Sequence, residues 1–229
     1  MGCKGIDVSN WNSVEQVSSL LQMTGNDKIE FVLIKATEGR TWKDTKAVQL
    51  LIAAMQYGVA IGFYHYCRPE LGNDAKEEAT HFVSTVRDIC YQAGYMEDVL
   101  LVADYEDKAI GHGLWLANFL REVDDQTGGN PMVYTTLYGS ETSDLIHVNT
   151  VAYGLWIATR GKEKDNPFAG REMKNWKLWA IHQYAVENGI DMNYFNGTRR
   201  QLFKYFNSDP HLNKETDAGC CEHCMCCRD

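Results

Sequence analysis

Asp104, Glu106 and Asp107 directly follow an apolar run, "VLLVA" at 99–103. Carboxyls packed together can divide the labour of a hydrolysis. Their mutual repulsion raises at least one pKa, so one carboxyl holds a proton near neutral pH while another stays ionised. Cleavage of a glycosidic bond needs that division, and divalent-metal chemistry can use it too. An Asp at a strand end is also a common cap for the following helix, so D-x-E alone decides little. The signal strengthens because Asp7 arrives at the same rim on a different short strand, "GIDVS" at 5–9.

The elements that must position these acids alternate along the chain. Strands are predicted at 5–9, 31–39, 59–67, 99–106, 131–136, 153–160 and 177–185, and an eighth near 190–195. Helices are predicted from Ser13 (a capping-box pattern with Gln16) to about Met23, over 44–57, 73–93 and 114–126, with a short one at 198–206. Strand alternating with helix implies a parallel sheet with crossovers. The later connections are too short for full helices. The reading is α/β: an irregular eight-stranded (β/α) TIM-like barrel with fewer helices in its second half. An open doubly wound sheet is the rival. It calls for a Gly-rich phosphate loop after the first strand, where Asn10-Trp11-Asn12 stands instead. Residues 1–207 read as the barrel and 208–229 as a polar, Cys-rich tail.

Residues two apart on a strand share a face, and the outer face of a barrel strand packs on helices. Asp7, Asp104 and Glu106 are therefore expected to point inward, with Lys35 and Thr37 on the second strand and Tyr64 and Tyr66 on the third. All lie at C-terminal strand ends, the rim where barrels of this class build active sites. Tyr64, Tyr66, Tyr134, Trp42 and Trp156 fall at or just beyond the same ends. Each alone reads as core; together they suit the apolar faces of sugars.

Composition narrows the partners. The chain has 229 residues and a formal net charge of −9, with no Lys/Arg run, which argues against nucleic acid. No stretch of about eighteen apolar residues is present to insert in a membrane. Met1-Gly2-Cys3-Lys4 enters the first strand without an apolar leader. The expectation is synthesis in the cytoplasm without a signal peptide.

Read in order, "GIDVSNWN", "FVLIKATEG", "GFYHY", "ADYED", "PMVYTT", "LWIATR" and "HQYA…GIDMNYFNG" resemble the family 25 glycoside hydrolases, the Chalaropsis-type lysozymes. These are N-acetylmuramidases found in bacteria, fungi and phage endolysins. The resemblance covers about 5–197. It implies cleavage of the β-1,4 bond from N-acetylmuramic acid to N-acetylglucosamine in peptidoglycan, without a cofactor. It puts Glu106 on the general acid, Asp104 on its carboxylate partner, Asp7 on the acid of the first strand and Asp191 on the acid near the last. Lys35, Tyr66 and Tyr134 match positions that line the sugar groove, and Tyr64, Trp156 and Gln183 join them as candidate substrate contacts. His182 stands where the family has the Trp of its Trp-Gln-Tyr. The enzyme is expected to be a monomer that reaches the cell wall after release, through a holin if phage-encoded.

Two other readings stay open at this point. One is a barrel that binds wall glycan without cutting it; an intact D-x-E argues against it. The other is a metal-dependent polysaccharide deacetylase with Asp7, Asp104 and His65 as ligands, although strand parity turns His65 away; activity that survives a chelator separates the two. The tail's "CCEHCMCC" is too compressed for a standard zinc site. A disulfide from it to Cys3 is geometrically allowed, because the last helix should return the chain to the barrel's N-terminal face.

Asp104 and Glu106, two apart on one strand, have Cβ atoms roughly 7 Å apart on one face. Both carboxyls then approach the scissile bond from one side, which suits participation by the substrate's own acetamido group better than a covalent bond to Asp104.

Overall fold

A computed structural model describes residues 2–206. The elements in chain order are β1 (Cys3–Val8), α1 (Val14–Leu21), β2 (Ile29–Glu38), β3 (Trp42–Lys43), α2 (Ala47–Met55), β4 (Ala60–Tyr66), α3 (Ala75–Ala93), β5 (Leu100–Asp104), α4 (Gly113–Thr127), β6 (Met132–Thr136), α5 (Leu137–Ser140), β7 (Leu155–Ala158), β8 (Ile181–Glu187), β9 (Ile190–Phe195) and α6 (Arg199–Phe206). Local chemistry accounts for many of the boundaries. The Ser13 side chain accepts the Gln16 backbone N–H at the start of α1, Asp74 accepts those of Lys76 and Glu77 at the start of α3, and Gly94 ends α3 at φ 69.

The sheet runs β1-β9-β8-β7-β6-β5-β4-β2 and closes through a β1–β2 pairing, with the two-residue β3 appended outside β2. It is the expected eight-stranded barrel, with one correction. β9 is antiparallel to both β8 and β1, so the sheet is mixed. The cause lies in Asn188-Gly189, which holds φ 52 and 78 between β8 and β9. A two-residue turn of that kind makes a hairpin, and a hairpin is antiparallel. Thinning of helices in the second half holds: the β6–β7 segment carries only a four-residue α5 and a 3-10 turn, and no helix lies between β7 and β9.

Two apolar layers flank the strands. Outside, Ile34, Ile61, Phe63, Ala103, Val133 and Ile157 pack against helix residues such as Leu50, Phe82, Phe119 and Leu120. Inside, Phe31, Leu33, Leu100, Val102, Met132 and Ile181 fill the lower barrel. The bottom is plugged by α6, whose Leu202 and Phe206 are fully buried in that inner cluster; the Phe206 ring lies 5.4 Å from that of Phe31. Cys3 is buried at this end and its Sγ donates to the Gly197 carbonyl at 3.7 Å. The tail that could pair with Cys3 lies outside the described residues.

Filling by α6 makes the lower barrel a packed core. Phe206→Ala should cost about 3–5 kcal/mol in denaturant unfolding, as a large aromatic lost from a sealed core. A loss below about 1 kcal/mol would mean that the plug does not contribute to the domain's stability.

Candidate active site

Strand register sets the layer of side chains at the open end of the barrel. Tyr66, Asp104, Tyr134 and Trp156 stand side by side on β4, β5, β6 and β7. Asp7 on β1 faces Asp191 across the β1–β9 pairing, and Gln183 faces Asn193 across β8–β9. Asp7 and Asp104 are 8% and 6% exposed. Glu106 lies just past β5 in extended backbone and is partly exposed, so it is the acid of this trio most open to a substrate. Asp107 then takes φ 50, turning the chain sharply, and its carboxylate accepts the Tyr66 hydroxyl at 2.9 Å.

The outward residue of the D-x-E triplet anchors it. Tyr105 is buried against the helix layer. Its hydroxyl donates to Asp144 at 2.6 Å and accepts the backbone N–H groups of Gly111 and His112. Asp144 itself approaches the start of α4 so closely that a Cβ on Gly113 would lie 2.0 Å from its carbonyl oxygen, which demands glycine there. One side chain thus pins the strand exit, the loop beyond it and the next helix.

The two buried amides converge on Asp7. Gln183 Nε2 and Asn193 Nδ2 both donate to its Oδ2, at 2.9 and 2.7 Å. The Tyr134 hydroxyl donates to Gln183 Oε1 at 3.0 Å, and Trp156 Nε1 to Asn193 Oδ1 at 2.8 Å. Lys35 lies at the far wall, its Nζ 2.9 Å from Glu38 and about 5 Å above the rings of Tyr66 and Trp42. Glu38 is held in turn by Arg68 at 2.8 Å.

Burial dominates the acids' protonation. Asp7 is pushed up to about 7 by desolvation and then by the charge of Asp191, against the two amide donors. Glu106 also rises to about 7, through burial and then Asp107, with the Tyr134 hydrogen bond and then Arg160 opposing. Asp104 is raised well above the carboxylate range by burial and by Glu106, with Lys35 pulling the other way. Asp191 is raised by burial and held back by Arg160, whose guanidinium is 3.7 Å away. These acids share protons as a set near neutral pH. The cluster can therefore present a proton donor and an anion within one site.

The expected residues reach the site unequally. Asp7, Asp104, Glu106, Asp191, Lys35, Tyr64, Tyr66, Tyr134 and Gln183 gather at the open end. Trp156 belongs to the same layer, but it is 2% exposed, edge-on to Tyr134 at 4.5 Å and to Tyr64 at 6.1 Å. As a substrate contact it is corrected: its ring is buried edge-on against the rings of Tyr64 and Tyr134. Thr37 does not point inward. A register irregularity between Lys35 and Thr37 in the β2–β4 pairing reverses the parity. Thr37 Oγ1 instead meets His65 Nδ1 at 2.8 Å, and His65 Nε2 meets Glu78 at 2.8 Å, all three buried on the outer face. His65 therefore does not join Asp7 and Asp104 as a ligand set, and no metal-binding cluster of three occurs among the described residues. Burial lowers the His65 pKa.

Asn193, Arg160 and Asp44 were missed by the sequence reading. Asn193 was legible, since it shares a face with Asp191 two residues earlier. Arg160 gave no signal; it lies beyond β7 in a loop. The helix begins at Ala47, not at Asp44, and Asp44 accepts the backbone N–H groups of Asn10 and Lys46, tying the first two strand exits together.

The raised acids have a consequence for stability. Each binds its proton more tightly folded than unfolded, where the values are about 4. Their stabilisation is complete below that value and is lost as pH rises through about 7. Asp7→Asn should therefore melt about 2–4 °C above the parent at pH 8 and show no gain at pH 4, by calorimetry. Equal melting at pH 8 would show that Asp7 carries no buried charge there.

A profile of glycosyl hydrolases family 25 matches residues 6–191. Lysozyme M1 of Streptomyces globisporus is 26% identical over 222 residues, covering 90% of this chain and 71% of that protein. A family GH25 lysozyme from Aspergillus fumigatus superposes with TM-score 0.71 at 25% identity, over 91% of this chain and 100% of the other. The catalytic domain of an endolysin from a Listeria monocytogenes bacteriophage superposes with TM-score 0.69 at 26% identity, over 90% and 98%.

Proposed function

This chain belongs to glycosyl hydrolases family 25, and we propose that it acts as a lysozyme with Glu106 as acid and base. The bond cleaved is the β-1,4 link from N-acetylmuramic acid to N-acetylglucosamine in peptidoglycan. The observation that carries the assignment is Glu106 itself. It is the partly exposed acid above a buried Asp104, with a pKa raised to about 7 by burial and by Asp107. A carboxyl so poised holds its proton near neutral pH and can deliver it to a leaving oxygen.

In the reaction, Glu106 protonates the glycosidic oxygen as the C1–O bond breaks. The carbonyl oxygen of the neighbouring acetamido group bonds to C1 from the opposite face. Asp104 Oδ1 is buried without a hydrogen-bond partner among the described residues, and it is suited to accept the acetamido N–H. The cation that develops on that group favours the state with charge on Asp104 and the proton on Glu106. Glu106, now ionised, takes a proton from water as the water opens the ring at C1, and two inversions leave the configuration retained. Tyr64, Tyr66, Tyr134 and Gln183 form the floor and wall, and Lys35 the cationic end. The protein works as a monomer on cell-wall peptidoglycan after release from the cytoplasm, with no nucleic-acid partner.

Glu106→Gln should lower turnover of purified peptidoglycan by about 10²–10⁴-fold with unchanged circular dichroism. The parent's digest should carry new reducing ends on muramic acid. Near-parental turnover by the variant would remove Glu106 from the mechanism, and reducing-end glucosamine would reassign the bond.

The anomeric outcome is a separate test. NMR of the first product should show the β-anomer, and glycans lacking the 2-acetamido group should turn over far more slowly. An α-anomer formed first would mean that the reaction inverts, with Asp7 or Asp191 holding the water.

A further inference from the structure

The mouth of the barrel is crowded with acids, and the cations beside them differ in what they have left to offer. Lys35 is engaged: its Nζ lies 2.9 Å from Glu38 and about 5 Å above two aromatic rings, and only 13% of its side chain is exposed. Arg68 is engaged too, by Glu38 at 2.8 Å and Glu70 at 2.7 Å. Arg160 is not. Its side chain is 73% exposed, and its one ionic contact among the described residues is Asp191 at 3.7 Å, too long for a hydrogen bond. Asp191 Oδ1 is itself left without a hydrogen-bond partner there. A guanidinium carries five N–H donors in a flat fork, and this one keeps them free.

Arg160 belongs to the site by position. It is two residues beyond Ala158, which pairs with Gln183 across β7–β8, and the Asp191 it touches faces Asp7 across β1–β9. Its charge acts on Glu106 as well as on Asp191. The backbone that carries it is fastened. The Thr159 N–H donates to the Gln183 carbonyl at 3.2 Å, and the Thr159 hydroxyl to the Pro167 carbonyl at 3.0 Å. Buried His182 meets the Lys164 carbonyl through Nδ1 at 2.9 Å. A carbonyl only accepts, so Nδ1 is the donor. These bonds close the loop 160–167 on itself and on β8, and a long cationic side chain leaves it from a held point.

We propose that Arg160 is a specificity-determining residue that grips a carboxylate on the 3-O-lactyl substituent of the substrate's muramic acid. The proposal rests on the chain cutting peptidoglycan, and it adds which chemical form is cut best. The lactyl ether sits on C3, next to the C2 acetamido group that reacts, so it stays close to the acids during the reaction. An anionic substituent entering a cluster of carboxyls, on a chain of net charge −9, meets repulsion unless a cation receives it. A guanidinium receives a carboxylate through two parallel N–H···O bonds, where an ammonium offers a point charge. The substituent ends in a carboxylate whether it is the bare lactyl acid or a peptide built on it, and amidation removes the charge from either.

The test uses short glycans of alternating N-acetylglucosamine and N-acetylmuramic acid in two matched pairs. One pair carries the lactyl group as the free acid or as its methylamide. The other carries an L-alanyl-D-glutamyl stem or its diamide. The parent should favour the acid in at least one pair by about three- to tenfold in kcat/KM, the size of a charge-assisted contact at a partly open site. The pair that shows the preference identifies the source of the carboxylate. The preference should shrink as salt is raised. Arg160→Gln should abolish it, and Arg160→Lys should keep part of it. Loss of Arg160 also makes Glu106 hold its proton more tightly, but that alters both members of a pair alike and leaves their ratio. Parent ratios near one in both pairs, or a ratio that persists in Arg160→Gln, overturn the proposal and leave the lysozyme reading standing. Calorimetric binding of the same glycans to Glu106→Gln reads the preference without turnover. A parent that cleaves none of the glycans fails the lysozyme reading, and equal affinities within both pairs then overturn the proposal as well.

Discussion

Several carboxyls buried at one end of a barrel cannot all be ionised, and much of the surrounding structure answers to that constraint. In low dielectric their repulsion is strong and water is too scarce to screen it. Asp7 is met by two amide donors and Asp191 by a guanidinium. Lys35 acts on Asp104 and is itself held by Glu38, which Arg68 braces. What this surrounding does not neutralise, protons do. A site that shares protons near neutral pH is less stable than an apolar barrel mouth would be, and it is the state an acid–base catalyst needs.

The inner and outer faces of the same strands carry different duties. Inward residues make the site. Outward residues between them hold the frame: Tyr105, lying between the two acids of the D-x-E triplet, ties β5 to the Asp144 segment and the start of α4, and His65, between Tyr64 and Tyr66, ties β2 to α3 through Thr37 and Glu78. Positioning within a site is set by such supporting contacts. Below the acids, the apolar barrel interior and the α6 plug supply the burial that offsets their cost.

Closure of the barrel is also a chemical event. The β8–β9 hairpin inserts an antiparallel strand between β8 and β1, and this puts Asp191 opposite Asp7 and carries Asn193 to it. A barrel of eight parallel strands would have delivered its last side chains to the rim from a strand end; here they come from the start and middle of the strand.

Much of this was legible in the residues. Period-two alternation and apolar outer faces put Asp7, Lys35, Tyr64, Tyr66 and Asp104 inward, because a helix-covered strand cannot bury its polar side outward without partners. Asn188-Gly189 was an available hairpin signal, and Asn193 an available partner of Asp191. Thr37 could not be assigned correctly from alternation, since one irregularity in a strand reverses all that follows. The depth of Trp156, the approach of Arg160 from a loop and the raised acids belong to tertiary structure alone. Depth and protonation are set by what surrounds a side chain in space, drawn here from all eight strands of the barrel, whereas alternation along one strand reports only which way a side chain points.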